Sequence, residues 1–402
     1  MNQQVCKELR NELQLPLLIL VIFVAVNLRP FLTSPGPIIE TIRASTGLTY
    51  TGTALLTLIP TVVMGLGAFL SPTIQAWVGT RRGLLGALLI LTAGSLLRLI
   101  VPGGNTLLLT ALLCGIGVAF IQSAFPGVIK EHFPTRVAII TGVYSATIMI
   151  GGAFGAQITP MLISHGYGWR EALAWLALPG VIAVLFAYHT LEDHPSERPD
   201  ASITRKLIRL PRTWLLILTF GLVNAGYSST VTWLAPFYQH LGLNVAESAN
   251  LVSVMAICQA LSAVGISYLA SFSKDRRLFL CITAVLQILS YLGLILAPLA
   301  SPVSWAAICG VGLGGSFAIS LVTALDHLPS PQQAGALTAL MQGGGFLIAA
   351  LGPLAVATLL NWSGSYQPGW IMHLCLALIA LILYLKLDPT RYHLAMRLRG
   401  RE

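Results

Sequence analysis

The sequence predicts an all-α polytopic membrane protein with twelve transmembrane helices in two pseudo-symmetric six-helix halves. Three observations support this fold class. The composition is too apolar for a water-soluble chain, long stretches carry no charged side chain, and the second half of the sequence resembles the first at a nearly constant offset. Each observation also limits what the protein can do.

The composition excludes several classes of protein. Of the 402 residues, 55% are hydrophobic and 9% are charged, and the mean hydropathy is +0.80. A soluble protein carries about 25% charged residues. The chain is therefore not a water-soluble enzyme, a disordered protein or a secreted disulfide scaffold. A spanning helix takes roughly 20 apolar residues, so twelve helices with short loops would use most of the chain.

Charge-free stretches, separated by turn signals, place the spans. The segments APLASP at 297–302 and SGSYQPG at 363–369 divide two of the longest apolar runs. We expect the first run to be a retained helix, because no small-residue cleavage site of a secretory signal precedes it. The predicted spans are 15–41, 50–78, 83–101, 105–130, 137–164, 171–190, 213–240, 247–271, 278–297, 303–326, 333–361 and 368–386.

The lysines and arginines are distributed unevenly along this pattern. All but four of the 23 lie in the two tails or in the loops after spans two, four, six, eight and ten. The four exceptions are Arg29, Arg43, Arg98 and Arg170. This bias predicts that both termini are cytoplasmic in a bacterial inner membrane. The net charge of +9 then reflects topology and attraction to anionic lipid, and we expect no nucleic-acid partner.

An internal repeat divides the chain into two halves. TRRGLL at Thr80 matches DRRLFL at Asp275, and Pro134 matches Pro329 at the same offset of about 195. The predicted units are a six-helix half at 1–190, a cytoplasmic linker at 191–212, a six-helix half at 213–386 and a basic cytoplasmic tail at 387–402. Two repeated halves with a substrate site between them are the layout of many secondary transporters.

Several motifs resemble the major facilitator superfamily. The basic loops VGTRRG and SKDRR, after spans two and eight, are reduced forms of its loop motif, and the first lacks the acidic residue. Within the superfamily the chain resembles the cyanate permease and 2-nitroimidazole transporter family, and the cyanate permeases more than the other members. The matching stretches are NLRPFLTSPGP at 27–37, FPGVIKEHFP at 125–134, GLVNAGYSSTVTWLAPFY at 221–238, ALDH at 324–327 and MQGGGF at 341–346.

Arg29 is the most informative residue of the sequence. It lies near mid-membrane if the first span is helical, where an arginine costs about 2.5–3.5 kcal/mol on insertion scales. No Asp or Glu lies at a comparable depth in any predicted span. A small monovalent anion is therefore a natural counter-ion for the planar guanidinium. The alternative is a structural role, in which Arg29 binds backbone carbonyls that Pro30 leaves without a donor.

Other deep polar residues extend the candidate site. The resemblance implies that spans one, four, seven and ten line a central cavity, which favours Gln122, Asn224 and Tyr227. Tyr144 and Gln342 lie on flanking spans. Asn224 also stands at the repeat position of Arg29. Each of these side chains could instead make an interhelical hydrogen bond, which contributes about 0.6 kcal/mol in a membrane. The predicted substrate-binding residues are Arg29, Gln122, Tyr144, Asn224, Tyr227 and Gln342.

Two further polar residues have open or structural interpretations. Arg98, near the outer end of span three, could extend to the membrane interface or line the outer mouth of the protein. We expect the first of these. His373 in span twelve is expected to be a packed core histidine. The six cysteines form no CxxC pair, and five of them lie in apolar runs, so we expect small core residues and no metal.

These observations predict a secondary active or facilitative transporter of a small monovalent anion, cyanate-like, that works by alternating access. The alternative is an exporter of small neutral drugs such as 2-nitroimidazoles. The spans show no catalytic constellation and no phosphate-binding loop, so we expect no enzyme activity, no ATP hydrolysis and no cofactor. The expected partners are the anion and the lipid bilayer, and the resemblance implies a monomer.

Overall fold

A computed structural model describes residues 3–48, 50–191 and 201–396, and within these ranges it contains helices and turns but no β-strand. The described ranges contain twelve long helices. They are α1 Gln3–Val26, α2 Tyr50–Val78, α3 Thr80–Leu97, α4 Gly104–His132, α5 Val137–Ser164, α6 Ala177–Thr190, α7 Pro211–His240, α8 Val245–Ser271, α9 Arg277–Leu296, α10 Pro302–Asp326, α11 Pro331–Ser363 and α12 Gln367–Tyr384. The shorter helices are Pro30–Thr33, Ile39–Thr46, Trp169–Ala174, Ala201–Leu207 and Tyr392–Ala395, with 3₁₀ turns at Gly36–Ile38, Arg98–Ile100 and Pro389–Arg391.

The predicted number of spans is confirmed. In the described part of the chain, eleven helical segments are long and apolar enough to cross a membrane. The described apolar stretch of α2, Leu55–Ser71, is shorter and supplies the twelfth. The predicted linker and tail are described only in part, since residues 192–200 and 397–402 lie outside the described residues. The exact domain boundaries therefore stay predictions.

The first and sixth spans differ from the prediction. The first was expected as one segment over 15–41, but its apolar crossing segment is Leu15–Thr33, and α1 ends at Val26. Pro30 and Pro35 have no N–H to continue the helical hydrogen bonding, so only a short helix forms between them. The sixth span consists of Trp169–Ala174 followed by α6.

Recognisable residues set several of the other helix boundaries. Proline occupies the first position of α7, α10 and α11, where its missing N–H costs no intrahelical bond. At the start of α8, the Asn244 side chain accepts from the Glu247 N–H, and Glu247 accepts from the Asn244 N–H. At the end of α11, Gly364 has a φ of 68°, the left-handed conformation that favours glycine.

Glycines let neighbouring helices of one half approach closely. A Cβ on Gly352 of α11 would lie 2.7 Å from the Ala225 carbonyl oxygen of α7. A Cβ on Gly314 of α10 would overlap the backbone of Gln259 in α8. Small residues at such crossings allow the van der Waals packing that holds membrane helices together.

The two halves contact each other near the basic loops. Gly127 of α4 faces Gly335 of α11, where a Cβ on Gly127 would lie 3.3 Å from the Gly335 Cα. Gly142 of α5 packs on Ser267 of α8 in the same way, since a Cβ on Gly142 would lie 2.6 Å from the Ser267 Cβ. The Lys130 ammonium on α4 donates to the carbonyls of Leu325 and Leu328 at the end of α10. This end of the helix bundle is therefore tightly packed.

Candidate functional site

Arg29 lies in the break of the first span. It precedes the short helix Pro30–Thr33, and its carbonyl accepts hydrogen bonds from the Leu32 and Thr33 N–H groups at 3.0 and 3.3 Å. The break packs on glycines of α5. A Cβ on Gly151 would overlap the Val26 carbonyl, and one on Gly152 would lie 3.3 Å from the Arg29 Cβ. Arg29 is thus placed by irregular backbone that the prolines cause and the glycines accommodate.

A cavity lies beside Arg29, between the first and second halves. It is narrow in this conformation: the space open to the centre of a water molecule is about 10 Å³, which is room for about one water molecule. Its polar lining comes from Arg29 together with Asn224 and Tyr227 on α7. Its other walls are apolar: Ile148 and Met149 on α5, Val223 on α7, and Leu313 and Phe317 on α10. The first half thus supplies the charge, and both halves supply the apolar walls.

Among the described residues, the Arg29 guanidinium makes no ion pair and no hydrogen bond. It makes a cation–π contact with the face of Tyr227, whose ring centre lies 5.5 Å from the Arg29 Cζ. Arg29 is half-buried. The structural alternative, in which Arg29 binds carbonyls released by Pro30, does not match this geometry. A cation–π contact orients the guanidinium across the cavity and leaves its N–H groups free.

Tyr144 on α5 lies close enough to Arg29 to interact with its charge. Its ring stacks on Phe125 of α4 with a centroid separation of 5.6 Å and an interplanar angle of 20°. The Tyr144 side chain is completely buried, and its hydroxyl has no hydrogen-bond partner in the described part of the chain. Buried hydroxyls are normally bonded, so the Tyr144 hydroxyl is a candidate donor to a bound ligand.

Gln122 and Gln342 meet at a contact between α4 and α11. The Gln342 Nε2 donates to the backbone carbonyl of Gln122 at 3.0 Å. Both side-chain polar atoms of Gln122, and the Oε1 of Gln342, have no partner among the described residues. This pair is not part of the Arg29 cavity lining. Gln122 stands one helical turn before Phe125, which packs on Tyr144.

Asn224 lines the cavity and uses one of its two amide N–H groups in its own helix. The Nδ2 group donates to the Phe220 carbonyl of its own helix at 2.8 Å. The sequence predicted a neutral donor and acceptor at this position. One N–H of the amide is bonded locally and leaves the second as a donor, so Asn224 stays a candidate for direct contact with an anion.

The structure therefore gathers three of the six predicted residues, Arg29, Asn224 and Tyr227, in one cavity. Tyr144 lies next to it, and Gln122 and Gln342 form a neighbouring polar contact. The apolar wall was not predicted. Phe317 belongs to an aromatic cluster in which Phe220 contacts both Phe317 and Phe346 at 5.7 Å between ring centroids. No sequence signal separated Phe317 from the other apolar residues of α10.

The expectation for Arg98 is wrong. Arg98 does not extend to the interface, because it is only 1% exposed. Its Nη2 donates to the Phe31 carbonyl at 3.2 Å, and its Nε donates to the Thr110 hydroxyl at 3.4 Å. One backbone carbonyl and one hydroxyl inside the protein bind the guanidinium instead.

The other structural expectations have mixed outcomes. His373 is buried as expected, and its ring lies 5.8 Å from that of Tyr291. Cys114 and Cys309 are buried, but Cys375 is exposed on the side of α12, so not all cysteines in apolar runs are core residues. The described residues contain no group of His, Cys, Asp and Glu side chains suited to a metal.

Comparison with known proteins identifies the family. A family model described as Major Facilitator Superfamily matches residues 18–342. The chain belongs to the Major Facilitator Superfamily. The proteins of this superfamily found by comparison are transporters. Together with the apolar helices, this makes the chain a multi-pass transporter of the inner membrane.

The similar sequences fall in the branch that the motifs indicated. This chain is 38% identical to the cyanate transport protein CynX of Escherichia coli (strain K12), over 94% of this chain and 98% of that protein. It is 28% identical to the 2-nitroimidazole transporter of the same organism, over 90% and 93% of the two chains. The resemblance seen in the sequence is confirmed.

Solved structures share the fold. The proton:xylose symporter XylE, solved with 6-bromo-6-deoxy-D-glucose, matches with a TM-score of 0.77 at 12% identity, covering 92% of this chain and 95% of that one. At this identity the likeness shows the fold alone. It confirms the predicted class of twelve helices in two pseudo-symmetric halves.

Proposed function

We propose that this transporter carries a small monovalent anion of the cyanate type, by secondary active or facilitated transport. One observation carries the proposal. Among the described residues, the Arg29 guanidinium faces a cavity between the halves without an ion pair or a hydrogen bond. A permanently charged group in that setting is stabilised by a mobile anion. The 38% identical relative described as a cyanate transport protein supports the same class of substrate.

The charge and the walls of the cavity favour a compact, singly charged ion. One guanidinium compensates one negative charge, and a dianion would leave the second charge among apolar side chains at low dielectric. The aliphatic walls, such as Ile148 and Leu313, offer no hydrogen bonds to a sugar or a polyanion. A linear or planar ion can accept two N–H groups of Arg29 at once.

The remaining candidates would complete the site around the bound ion. Tyr227 orients Arg29, and the free hydroxyl of Tyr144 supplies a donor next to it. The unpartnered Nε2 of Gln122 supplies a further donor beside the cavity, where Gln342 holds the Gln122 backbone through its own Nε2. Asn224 contributes polar lining from the second half. Each unpartnered N–H or O–H donor would gain an acceptor when the anion binds. Specificity for the anion would then follow from the number and direction of these donors.

The proposed mechanism is alternating access about this site. Close contacts between the halves, at Gly127 and Lys130, lie at the end of the bundle that carries the basic loops. Other contacts between the halves, such as Gly65 with Gly343, lie nearer the middle of the spans. We propose that this end faces the cytoplasm, as the distribution of lysine and arginine indicates. The conformation described here would then be closed toward the cytoplasm. Release of the anion inside would require the halves to rock and break these contacts.

The test is transport by purified protein in liposomes. We expect cyanate uptake, inhibited by other small monovalent anions and not by sulfate. Arg29→Gln is expected to lower the initial rate by about 10- to 100-fold, because it removes charged hydrogen bonds worth about 1.5–3 kcal/mol. The uptake rate of Arg29→Lys should lie between those of the natural protein and Arg29→Gln, since an ammonium keeps the charge but not the planar geometry of the guanidinium.

The matched control is Arg205→Gln, which removes one positive charge from an exposed position on the helix Ala201–Leu207. It should transport cyanate like the unmodified protein. Undiminished cyanate uptake by Arg29→Gln, or a preference for sulfate or phosphate over cyanate, would contradict the proposal.

A second candidate is the export of small neutral drugs. The apolar and aromatic wall around Met149, Tyr227 and Phe317 favours it, as does the 28% identical 2-nitroimidazole transporter. An aromatic wall would bind a neutral ring without help from a charge. The same liposomes discriminate the two functions: transport of a 2-nitroimidazole that is insensitive to Arg29→Gln, without cyanate transport, supports the exporter.

A further inference from the structure

Arg98 has an environment that the proposed transport cycle does not yet explain. It lies in the 3₁₀ turn Arg98–Ile100 that follows α3, and its side chain is 1% exposed. No described acidic side chain pairs with it. Its Nε donates to Thr110 on α4, its Nη2 donates to the Phe31 carbonyl, and its Nη1 has no partner among the described residues. A buried cation that binds a backbone carbonyl rather than a carboxylate is costly unless that carbonyl needs it.

The Phe31 carbonyl does need an external donor. In a helix this oxygen would accept from the N–H four residues later, at position 35. Position 35 is proline, which has no N–H. The preceding carbonyl, that of Pro30, already accepts from the Ser34 N–H at 2.9 Å. Arg98 therefore supplies the hydrogen bond that Pro35 removes.

The same short helix is fixed on its opposite side by α5. The Thr33 hydroxyl donates to the Gly152 carbonyl at 2.7 Å. A Cβ on Gly155 would lie 2.7 Å from the Pro30 Cα, so the glycine allows close contact there. The helix Pro30–Thr33 is thus fixed between α5 on one side and the turn that carries Arg98 on the other.

Arg29 is mechanically part of this helix. Its carbonyl accepts from the Leu32 and Thr33 N–H groups, so it forms the first turn. A shift of the Phe31 carbonyl would be transmitted through this turn to the Arg29 Cα. The guanidinium would then lose its position over Tyr227 and across the cavity.

We propose that Arg98 is a positioning residue for anion binding. It holds the broken first span through the carbonyl of Phe31 and thereby sets the direction in which Arg29 faces the anion. This inference rests on the proposed role of Arg29 as the anion-binding residue. Arg98 itself touches no substrate. Its planar guanidinium donates to the Thr110 hydroxyl and the Phe31 carbonyl at the same time. The single ammonium of a lysine does not reproduce this geometry.

The experiment combines Arg98 variants with a variant that restores the missing backbone donor. Arg98→Gln and Arg98→Lys are made in the natural chain and in Pro35→Ala, where residue 35 regains an N–H for the Phe31 carbonyl. Two quantities are measured for each protein. They are KM and maximal rate for cyanate uptake into liposomes, and amide hydrogen exchange of the peptide covering residues 27–34.

Arg98→Gln is expected to raise KM about tenfold, the change that corresponds to one hydrogen bond of a charged group, and to speed exchange in the 27–34 peptide. Both effects should shrink in the Pro35→Ala background. Arg98→Lys should show smaller effects of the same sign. If Arg98→Gln folds too poorly to assay, the lysine variant and its Pro35→Ala partner carry the same comparison.

Arg212→Gln is the matched control. Arg212 is also buried and donates to a backbone carbonyl, that of Lys386, but this contact lies in the second half, where Arg212 packs on Tyr392. Its variant should leave KM and the exchange of the 27–34 peptide unchanged. A purely structural role for Arg98 would lower the maximal rate through loss of folded protein and leave KM unchanged.

Three results would overturn the inference. The first is a KM that Arg98→Gln does not change. The second is exchange of the 27–34 peptide that Arg98→Gln does not change. The third is an equal effect in both backgrounds, because Arg98 would then not replace the donor lost at Pro35. If exchange rises and Pro35→Ala reverses it while Arg29→Gln leaves cyanate uptake intact, Arg98 holds the break but the proposed function fails. The two failures are therefore distinguishable.

Discussion

The Lys130 ammonium donates to the backbone carbonyl of Leu325, a residue that stands 195 positions later in the chain. The internal repeat has the same offset, so the two residues occupy equivalent places in the two halves. The contact thus joins the ends of α4 and α10 across the pseudo-symmetric interface. Lys130 also donates to the carbonyl of Leu328 at 2.5 Å. One side chain of the first half therefore caps the end of a helix in the second half.

Lys130→Met should weaken this closed end. It removes two charged hydrogen bonds, of which each is worth about 1.5–3 kcal/mol, and so favours conformations in which the halves separate there. The measurement is the labelling rate of Ser267→Cys, which is buried against Gly142 in the same interface, in a background without native cysteines. We expect labelling to be at least about tenfold faster in Lys130→Met. Lys130→Arg, which keeps a donor, should label slowly, and equal rates in all three proteins would contradict the prediction.

His327 predicts a pH dependence of stability at the same end of the bundle. Burial, together with the positive charges of Arg212 and Lys130, lowers the pKa of His327 to about 4, although the hydrogen bond to the Thr323 carbonyl opposes this shift. Its ring stacks on Tyr392 with 3.7 Å between ring centroids. Because the folded pKa lies below the unfolded value of about 6.5, the neutral ring stabilises the fold above that pH.

This contribution should be lost as the pH falls from about 6.5 to about 4, by up to about 3 kcal/mol. The measurement is the thermal unfolding midpoint between pH 8 and pH 5, compared with His327→Gln, whose amide does not titrate. The natural protein should lose more stability than the variant over this interval. Parallel pH profiles would show that the His327 ring is not held neutral.

Hydropathy and charge predicted the helices and the position of Arg29, because both follow from the cost of placing polar groups in lipid. Hydropathy and charge did not predict where the Arg98 side chain lies. Its partner, the Phe31 carbonyl, lies 67 residues away, and no sequence pattern indicates which orphaned carbonyl a distant arginine will reach. Interface snorkelling was the expectation from depth alone, and tertiary contact overrode it.

The apolar wall of the site was missed for a related reason. Phe317 is one of many apolar residues in a span that is apolar on all sides, so nothing in the sequence distinguishes a cavity wall from a packed core. The polar members were easier to find, since each polar residue at depth requires an explanation. Even so, the hydrogen bond that occupies one of the two Asn224 amide N–H groups became visible only in the structure.

Gly151→Ala should disrupt the break in the first span. Its new Cβ would overlap the Val26 carbonyl oxygen, and a backbone atom has little freedom to move. Overpacking of this kind costs about 1–3 kcal/mol and would displace Arg29. We expect a strong loss of cyanate uptake and a lower unfolding temperature. Gly86→Ala, where a Cβ meets nothing within 4 Å, is the control and should behave like the natural protein. Normal uptake by Gly151→Ala would show that the break tolerates a shift.

Tyr227 tests whether the aromatic face or the hydroxyl orients Arg29. The ring centre lies 5.5 Å from the Arg29 Cζ, which makes a cation–π contact worth about 0.5–2 kcal/mol. Tyr227→Phe keeps the face of the ring, so the KM for cyanate should change by less than about twofold. Tyr227→Leu keeps apolar bulk without the π-system, and the KM should rise by about 2- to 30-fold. Equal KM values for the two variants would mean that the ring only fills space. A large rise in Tyr227→Phe would assign the role to the hydroxyl, as a hydrogen-bond donor to the anion.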